Sequence, residues 1–147
     1  SMLSHRLCDR TEFICASPDY LRKCGAPERL EDLAGHNCLR GTNDFWNVYE
    51  GGQRKRLPVS GSFRANSGYV LLDAAIRGLG LVQLPEYYLN RALQSGQLVS
   101  VMDEFHDPYS GVWLVYANTR FRPRRLTALI DFLVGRFETL PLDGTPD

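Results

Sequence analysis

The stretch 66–85 constrains the fold more than any other part of the chain, because it joins an amphipathic helix directly to a short apolar strand. In "NSGYVLLDAAIRGLG", apolar residues recur with the spacing of one helix face after Asn66 or Ser67 as the cap. Gly78 and Gly80 are expected to end the helix. The following "LVQLP" is apolar without alternation, which is typical of a strand buried on both faces. The stretch therefore predicts a helix packed on a buried sheet.

Strand and helix signals alternate along the rest of the chain, and short loops join them. Besides "LVQLP", strands are predicted over 11–17, 37–41, 45–49, 56–65, 98–102 and 112–117. Besides the central helix, helices are predicted over 18–24, 27–35, 85–96 and 122–140. Such alternation is typical of α/β proteins, so we expect the sheets to be mostly parallel.

Composition bounds the size of the domain and its partners. The 147 residues suffice for one domain or for two small lobes that share a core, and a hydrophobic content of 44% is too high for a disordered chain. Lysine plus arginine and aspartate plus glutamate both total 17, so net charge favours neither nucleic acid nor membranes. The sequence shows no secretory signal and no apolar run near the ~18–20 residues that span a bilayer. We therefore expect a cytoplasmic protein.

The cysteines and histidines form no recognisable metal pattern. Cys8, Cys15, Cys24 and Cys38 lack the Cys-x-x-Cys spacing of zinc sites, and we expect ordinary reduced thiols and no metal. One catalytic alternative is a thiol nucleophile at Cys38 with His36 as its base, because alternation places both on one strand face. The sequence contains no Walker loop, no Gly-x-Ser-x-Gly and no Gly-x-Gly-x-x-Gly. We therefore predict neither an enzyme nor a cofactor.

The turn before the central helix is the best candidate for a ligand site. Ligands of α/β proteins bind where strands end and helices begin, and a predicted strand leads straight into this helix. The first backbone N–H groups of the helix, beside Asn66, Ser67 and Gly68, could receive a carboxylate or a phosphate. Leu84 and Pro85 end the next strand and could form an apolar wall. The alternative is that the turn only caps the helix.

Several motifs, in the same order along the chain, together resemble one protein family. The segment "ICASPDYLRKCGAPERLEDLAGHNCL" is similar to one in LysR-type transcriptional regulators, with Ala-Ser-Pro-x-Tyr-Leu, then Gly-x-Pro, then Asp-Leu-x-x-His-x-Cys. "GSFRANSGYVLLDAAIRGLGLVQLPEYY" resembles the Asn-x-Gly segment of that family, its Ala-Ala-x-x-Gly-Leu-Gly and its Leu-Pro-x-Tyr. "LQSGQLVSVM" and "VWLVYANTRFRPRRLTALIDFL" resemble later segments, so the likeness covers about residues 7–138.

The resemblance implies an α/β effector domain with a type 2 periplasmic-binding-protein-like fold, in which two lobes flank a cleft for a small molecule. The chain would contain one complete lobe and the C-terminal part of the other. Residues 1–13 would be a tag remnant and the first crossover strand, 14–109 the second lobe, 110–140 the return crossover strand and final helix of the first lobe, and 141–147 a tail. The ligand residues would be Arg40, Asn66, Ser67, Gly68, Leu84 and Pro85.

The resemblance also implies a role in transcription. We expect the effector-sensing portion of a bacterial regulator, with a small molecule such as a carboxylate as its ligand. The helix-turn-helix of the family is absent from the sequence, so we expect a fragment of a longer protein that binds DNA only through the missing part. A homo-oligomer and no membrane partner are expected. The alternative is a solute-binding protein of a transport system, which would need export.

The final predicted helix carries an apolar stripe whose usual cover would belong to the missing part of the first lobe. We expect the uncovered stripe to favour self-association. Its members are Leu126, Leu129, Ile130, Leu133 and Phe137.

Overall fold

The computed structural model of the chain describes residues 1–108 and 111–139. The strands in this part of the chain are β1 (Met2–Asp9), β2 (Glu12–Ala16), β3 (Cys38–Leu39), β4 (Phe45–Glu50), β5 (Gln53–Pro58), β6 (Leu81–Pro85), β7 (Val99–Val101) and β8 (Gly111–Ala117). The helices are α1 (Pro18–Cys24), α2 (Gly68–Ile76), α3 (Glu86–Ser95) and α4 (Arg124–Thr139), with 3₁₀ helices at Leu30–Gly35 and Asp103–Phe105. The predicted α/β class is confirmed.

The central sheet has four strands in the order β3-β6-β2-β7. β2 runs antiparallel to both of its neighbours, with Phe13 opposite Leu84 and Cys15 opposite Ser100, whereas β3 is parallel to β6. The prediction of mostly parallel sheets was therefore wrong. Apolar content indicates that a strand is buried, but it does not indicate the direction in which the strand runs.

The sheet separates two hydrophobic cores, and its inner strands contribute side chains to both. On β2, Ile14 belongs to the core under the first 3₁₀ helix and the β4–β5 hairpin, together with Trp46. The next residue, Cys15, belongs to the core under α2 and α3. On β6, Leu81 and Val82 likewise enter different cores. The prediction that "LVQLP" is a strand buried on both faces is confirmed.

The strand predicted over 56–65 exists only at its start, as the end of β5. β4 and β5 form an antiparallel hairpin, and the later residues reach the sheet through one isolated parallel bridge between Arg40 and Arg64. Two backbone hydrogen bonds hold this bridge, from Arg40 N to Phe63 O at 3.1 Å and from Ala65 N to Arg40 O at 3.0 Å. The bridge carries the chain to the start of α2.

β1 and β8 form a separate antiparallel pair, on which α4 packs. One face of the pair is open, because Trp113 and Val115 are about half exposed and the Arg6 guanidinium lies 5.7 Å from the Trp113 ring centroid. The apolar stripe of α4 is only partly uncovered, since Ile130 is buried while Leu129 is exposed. Self-association through this region remains a prediction.

The first strand begins almost at the start of the chain. β1 begins at Met2, within the residues 1–13 that were predicted to be a tag remnant and the first crossover strand, and it pairs with β8. The predicted tail at 141–147 lies outside the described residues. Within the part of the chain that the structure describes, no helix combines the length and the apolar character needed to cross a bilayer.

The parallel pairing of β3 with β6 depends on a close approach at Gly80. Leu81 N donates to Asn37 O at 2.9 Å, and a Cβ on Gly80 would lie 2.1 Å from the same oxygen. The Asn37 side chain links the loops on either side of α2. Its Nδ2 donates to Leu79 O at 2.8 Å and to Ser62 Oγ at 2.9 Å, and its Oδ1 accepts from Ser62 N at 2.7 Å. This arrangement ties the loops before and after α2 to the start of β3.

We expect Gly80→Ala to lower the free energy of unfolding by about 1–3 kcal/mol or more, because the added methyl group would strike a backbone carbonyl that cannot rotate away. Gly35→Ala is the matched control, since no atom lies within 4 Å of a Cβ added there. Its effect should stay within about 0.5 kcal/mol. Urea denaturation followed by circular dichroism measures both values, and equal stability of the two variants would contradict the close approach at Gly80.

Candidate functional site

A cleft of about 370 Å³ opens where four segments of the chain meet. Its walls come from the link between β1 and β2, the start of the β4–β5 hairpin, the start of α2, and the junction of β6 with α3. Strand ends and helix starts thus converge here, as expected for a ligand site in an α/β domain. A cavity of this volume is large enough for a small molecule.

Four of the six predicted ligand residues line this cleft, namely Asn66, Gly68, Leu84 and Pro85. Ser67 lies beside them in the chain and is half buried, but it does not line the cleft. Arg40 also lies outside it. The structure therefore brings together the two predicted segments, the turn before α2 and the end of β6.

The start of α2 lines the cleft at Gly68. Ser67 is the N-cap residue, but its side chain makes no capping hydrogen bond. The first N–H groups of a helix have no acceptor within the helix, so those of Gly68 and Tyr69 are left to water or to a ligand. The helix dipole adds partial positive charge at the same point. A carboxylate or phosphate group could therefore bind at this end of α2.

Aromatic rings crowd the same end of α2. The Tyr88 ring packs so closely on Gly68 that an added Cβ would lie 2.6 Å from Tyr88 Cζ. Tyr88 also contacts Tyr69 and Tyr87, with ring centroids 4.9 Å and 4.6 Å away. Glycine is favoured at position 68 because a tyrosine ring from α3 occupies the space of a side chain. The cleft thus combines backbone N–H groups with ring faces and phenol hydroxyls.

The start of the β4–β5 hairpin forms another wall of the cleft. Trp46 is buried, and Phe45 is half buried with the Arg56 guanidinium 4.9 Å from its ring centroid. Gln83 Nε2 donates to Asn47 O at 2.8 Å, which ties the hairpin to β6. Sequence reasoning missed this wall. The aromatic residues of the hairpin indicate a strand, but nothing in their pattern shows that the hairpin folds beside the end of β6.

Arg40 stabilises a loop rather than lining the cleft, in contrast to its predicted place in the ligand site. Its Nη1 lies 3.0 Å from Asp44 Oδ1, and its Nη2 donates to Gly61 O at 3.2 Å. Arg64 also binds Asp44, and that hydrogen bond and charge hold the pKa of the Asp44 carboxyl below its usual range. The guanidinium of Arg40 is therefore already used to join the loop after β3 to the chain after β5.

Arg10 and Glu12 line the cleft and were not predicted. Arg10 Nη2 lies 2.8 Å from Glu12 Oε1, and the two side chains are 33% and 21% exposed. Glu12 faces the cleft because it stands opposite Pro85 in the register of β2 with β6. The only sequence signal is a pair of opposite charges in "RTE" at the start of a strand, which is not specific.

Burial raises the pKa of the Tyr87 hydroxyl at this point of the cleft. The nearby Arg10 guanidinium lowers the same pKa, while Tyr88 and the Glu12 carboxylate raise it. Because the net direction is upward, the Tyr87 hydroxyl keeps its proton near neutral pH and can donate a hydrogen bond. Tyr87 therefore adds a neutral donor beside the ion pair.

The catalytic alternative at Cys38 and His36 is not formed. Cys38 is fully buried and its Sγ donates to Leu33 O at 3.8 Å, while His36 Nδ1 is hydrogen-bonded to the Tyr20 hydroxyl at 2.8 Å. Burial raises the pKa of the Cys38 thiol to about 11 and that of the Cys15 thiol to about 12. Neither thiol supplies a thiolate near neutral pH. Over residues 1–108 and 111–139, no cluster of His, Cys, Asp or Glu is arranged to hold a metal ion.

We expect Cys15 and Cys38 to resist iodoacetamide in the folded chain while the exposed Cys24 reacts. A thiol with a pKa of about 12 is ionised to only about one part in ten thousand at pH 8. Folding raises both pKa values above the usual 9.0, so the stability they contribute is complete below about pH 9 and is lost as pH rises towards 11–12.

Mass spectrometry of the alkylated chain measures this protection, and labelling in urea is the control in which all cysteines should react. Alkylation of Cys38 at the rate of Cys24 in the folded chain would contradict its burial.

The chain is similar to known proteins over most of its length. The family described as LysR substrate binding domain matches residues 1–138. The chain is similar to the HTH-type transcriptional activator TtdR of Escherichia coli strain K12, with 32% identity over 136 residues. That match covers 89% of this chain and 44% of TtdR, so the chain spans less than half the length of this relative.

Solved structures show the same likeness in three dimensions. The chain is similar to the regulatory domain of CrgA, a LysR-type transcriptional regulator from Neisseria meningitidis, with 29% identity and a TM-score of 0.72 over 92% of this chain and 69% of that one. It is also similar to the full-length Vibrio cholerae virulence activator AphB, with 25% identity and a TM-score of 0.75 over 93% of this chain and 48% of that one.

Proposed function

The chain belongs to the LysR substrate-binding-domain family, and from this premise we propose that its cleft binds a small-molecule effector that controls transcription by a longer protein. Its α/β architecture is the periplasmic-binding-protein-like fold of LysR regulatory domains. The observation that carries the proposal is the convergence of Asn66, Gly68, Leu84 and Pro85 on one cleft at an uncapped helix start. The effector contacts these four residues.

Effector binding acts through the arrangement of the two lobes. In this proposal residues 14–109 form the second lobe, and 110–140 return the chain to the first lobe. The crossings between them are residues 8–15, which contain the link between β1 and β2, and the strand β8. A ligand that binds one arrangement of the lobes more tightly shifts the population towards it. The longer protein is a cytoplasmic homo-oligomer that binds DNA through its remaining part, and it needs no cofactor.

The alternative functions have less support. A solute-binding protein for transport is not supported, because TtdR is an HTH-type transcriptional activator and CrgA is a LysR-type transcriptional regulator. Those relatives are not enzymes. Cys38 is buried with its Sγ donating to Leu33 O, and His36 Nδ1 is bound to the Tyr20 hydroxyl, which gives no reason to propose catalysis. The proposal is therefore restricted to binding.

We expect a screen of small carboxylates, aromatic acids and their amides to yield compounds that raise the melting temperature of the 147-residue chain by several degrees. Saturation at 100 times the dissociation constant stabilises a folded protein by about 2.7 kcal/mol. Asn66→Ala, which removes an exposed amide from the cleft wall, should weaken the binding of a hit about tenfold and leave the unliganded melting temperature unchanged.

Gln94→Ala is the control for that experiment, because it removes an exposed amide near the far end of α3 and should leave the affinity unchanged. Hits that bind both variants as well as the parent chain would place the effector outside the cleft.

A further inference from the structure

We propose that Arg10 binds an anionic group of the effector by exchanging its present partner, Glu12, for the ligand. The inference rests on the proposed function, because it takes the cleft as the effector site. It adds a residue that the family-based prediction did not contain and a competition between the ligand and a carboxylate of the protein itself. Arg10 lies in the link between β1 and β2, so the exchange of partners takes place there.

The hydrogen bonding of Arg10 is incomplete. Its Nη2 binds Glu12 Oε1 at 2.8 Å, but its Nε is buried and has no hydrogen-bond partner among the residues that the structure describes. A guanidinium has five N–H donors in a fixed plane, and carboxylates and phosphates match two of them at once. A buried donor without an acceptor is costly, so a ligand that reaches Nε together with one terminal nitrogen removes this cost.

The surroundings of Arg10 favour a negatively charged ligand group over a neutral one. The uncapped start of α2 at Gly68 lines the same cleft and contributes backbone donors. The Tyr87 hydroxyl keeps its proton and lies in the field of both Arg10 and Glu12. Together these groups offer a guanidinium, a phenol and backbone N–H donors, against one carboxylate that already belongs to the protein.

Glu12 is suited to be the internal competitor because its backbone is held by the sheet and its carboxylate is bound to Arg10 within the cleft. Its backbone stands opposite Pro85 in the β2–β6 pairing, and the neighbouring Thr11 O accepts a hydrogen bond from Glu86 N at 2.9 Å. Arg10 itself lies between the strands and has no place in either sheet. When the guanidinium turns from Glu12 to a ligand, the change is therefore made in the short link that joins the two strand systems.

The test uses benzoate and benzamide as probes, since they have the same shape and differ in charge. In the 147-residue chain labelled with ¹⁵N, benzoate should shift the Nε–H resonance of Arg10 and the amide of Gly68 with one saturating dissociation constant. Benzamide at the same concentrations should bind at least about tenfold more weakly, because a charge-assisted hydrogen bond is lost. Arg10→Gln should weaken benzoate binding about tenfold or more, and Glu12→Gln should strengthen it several-fold.

Two further variants keep the test independent of folding. Arg10→Lys retains the charge but cannot form the paired hydrogen bonds, so benzoate should bind with intermediate affinity. Arg91→Gln removes an exposed arginine of α3 that does not line the cleft, and it should leave benzoate binding unchanged.

The outcomes separate the inference from the proposed function. If both probes shift Gly68 with equal affinity and Arg10→Gln has no effect, the cleft binds ligands but Arg10 does not select the anion, and the inference is overturned. Weaker benzoate binding in Glu12→Gln would also overturn it, because Glu12 would then be a ligand contact. If no cleft resonance responds to either probe, the proposed function fails and the inference fails with it.

Discussion

The pairing of β2 with both β6 and β7 is the interaction on which the rest of the structure depends. β2 enters the sheet between two strands that come much later in the sequence, and its alternating side chains close a core on each face. The register of this pairing places Glu12 opposite Pro85, so the same hydrogen bonds that build the sheet bring the link after β1 to the start of α3. A slip of one residue would exchange the faces of Ile14 and Cys15 and would turn Glu12 away from the cleft.

Contacts of the backbone around the cleft set its geometry more than the side chains that line it do. The hydrogen bond from Leu81 N to Asn37 O holds β6 parallel to β3, and Gly80 leaves the space that this approach needs. The Asn37 side chain binds the loops before and after α2. These contacts hold both loops, and no side-chain hydrogen bond caps the start of α2. Backbone donors at an uncapped helix start need not give up a capping side chain when a ligand arrives.

The sequence indicates local structure well and spatial neighbours poorly. The bounds of α1 could be predicted to the residue, because Ser17, Pro18 and Gly25 each act within one turn of the helix. Gly68 and Pro85 could be proposed for one site because ligands of α/β proteins bind where strands end and helices begin, and the resemblance to a family implied the same residues. The direction of β2 and the position of the hairpin wall with Trp46 could not be predicted, because both depend on contacts between residues far apart in the chain.

In the described part of the chain, two arginines, Arg10 and Arg40, have an Nε atom that is buried without a partner, and they differ in what else holds the guanidinium. Arg40 uses both terminal nitrogens, one on Asp44 and one on Gly61 O, so its guanidinium is held from two sides by the loops that it joins. Arg10 is held from one side only, by a carboxylate that shares the cleft with it. The prediction chose Arg40, which stabilises the fold, and omitted Arg10, which has hydrogen-bonding capacity to spare. A ligand can bind N–H donors of a cleft wall that have no partner within the protein. Such donors can be identified only from the positions of all the hydrogen-bond partners of the charged group in the folded chain.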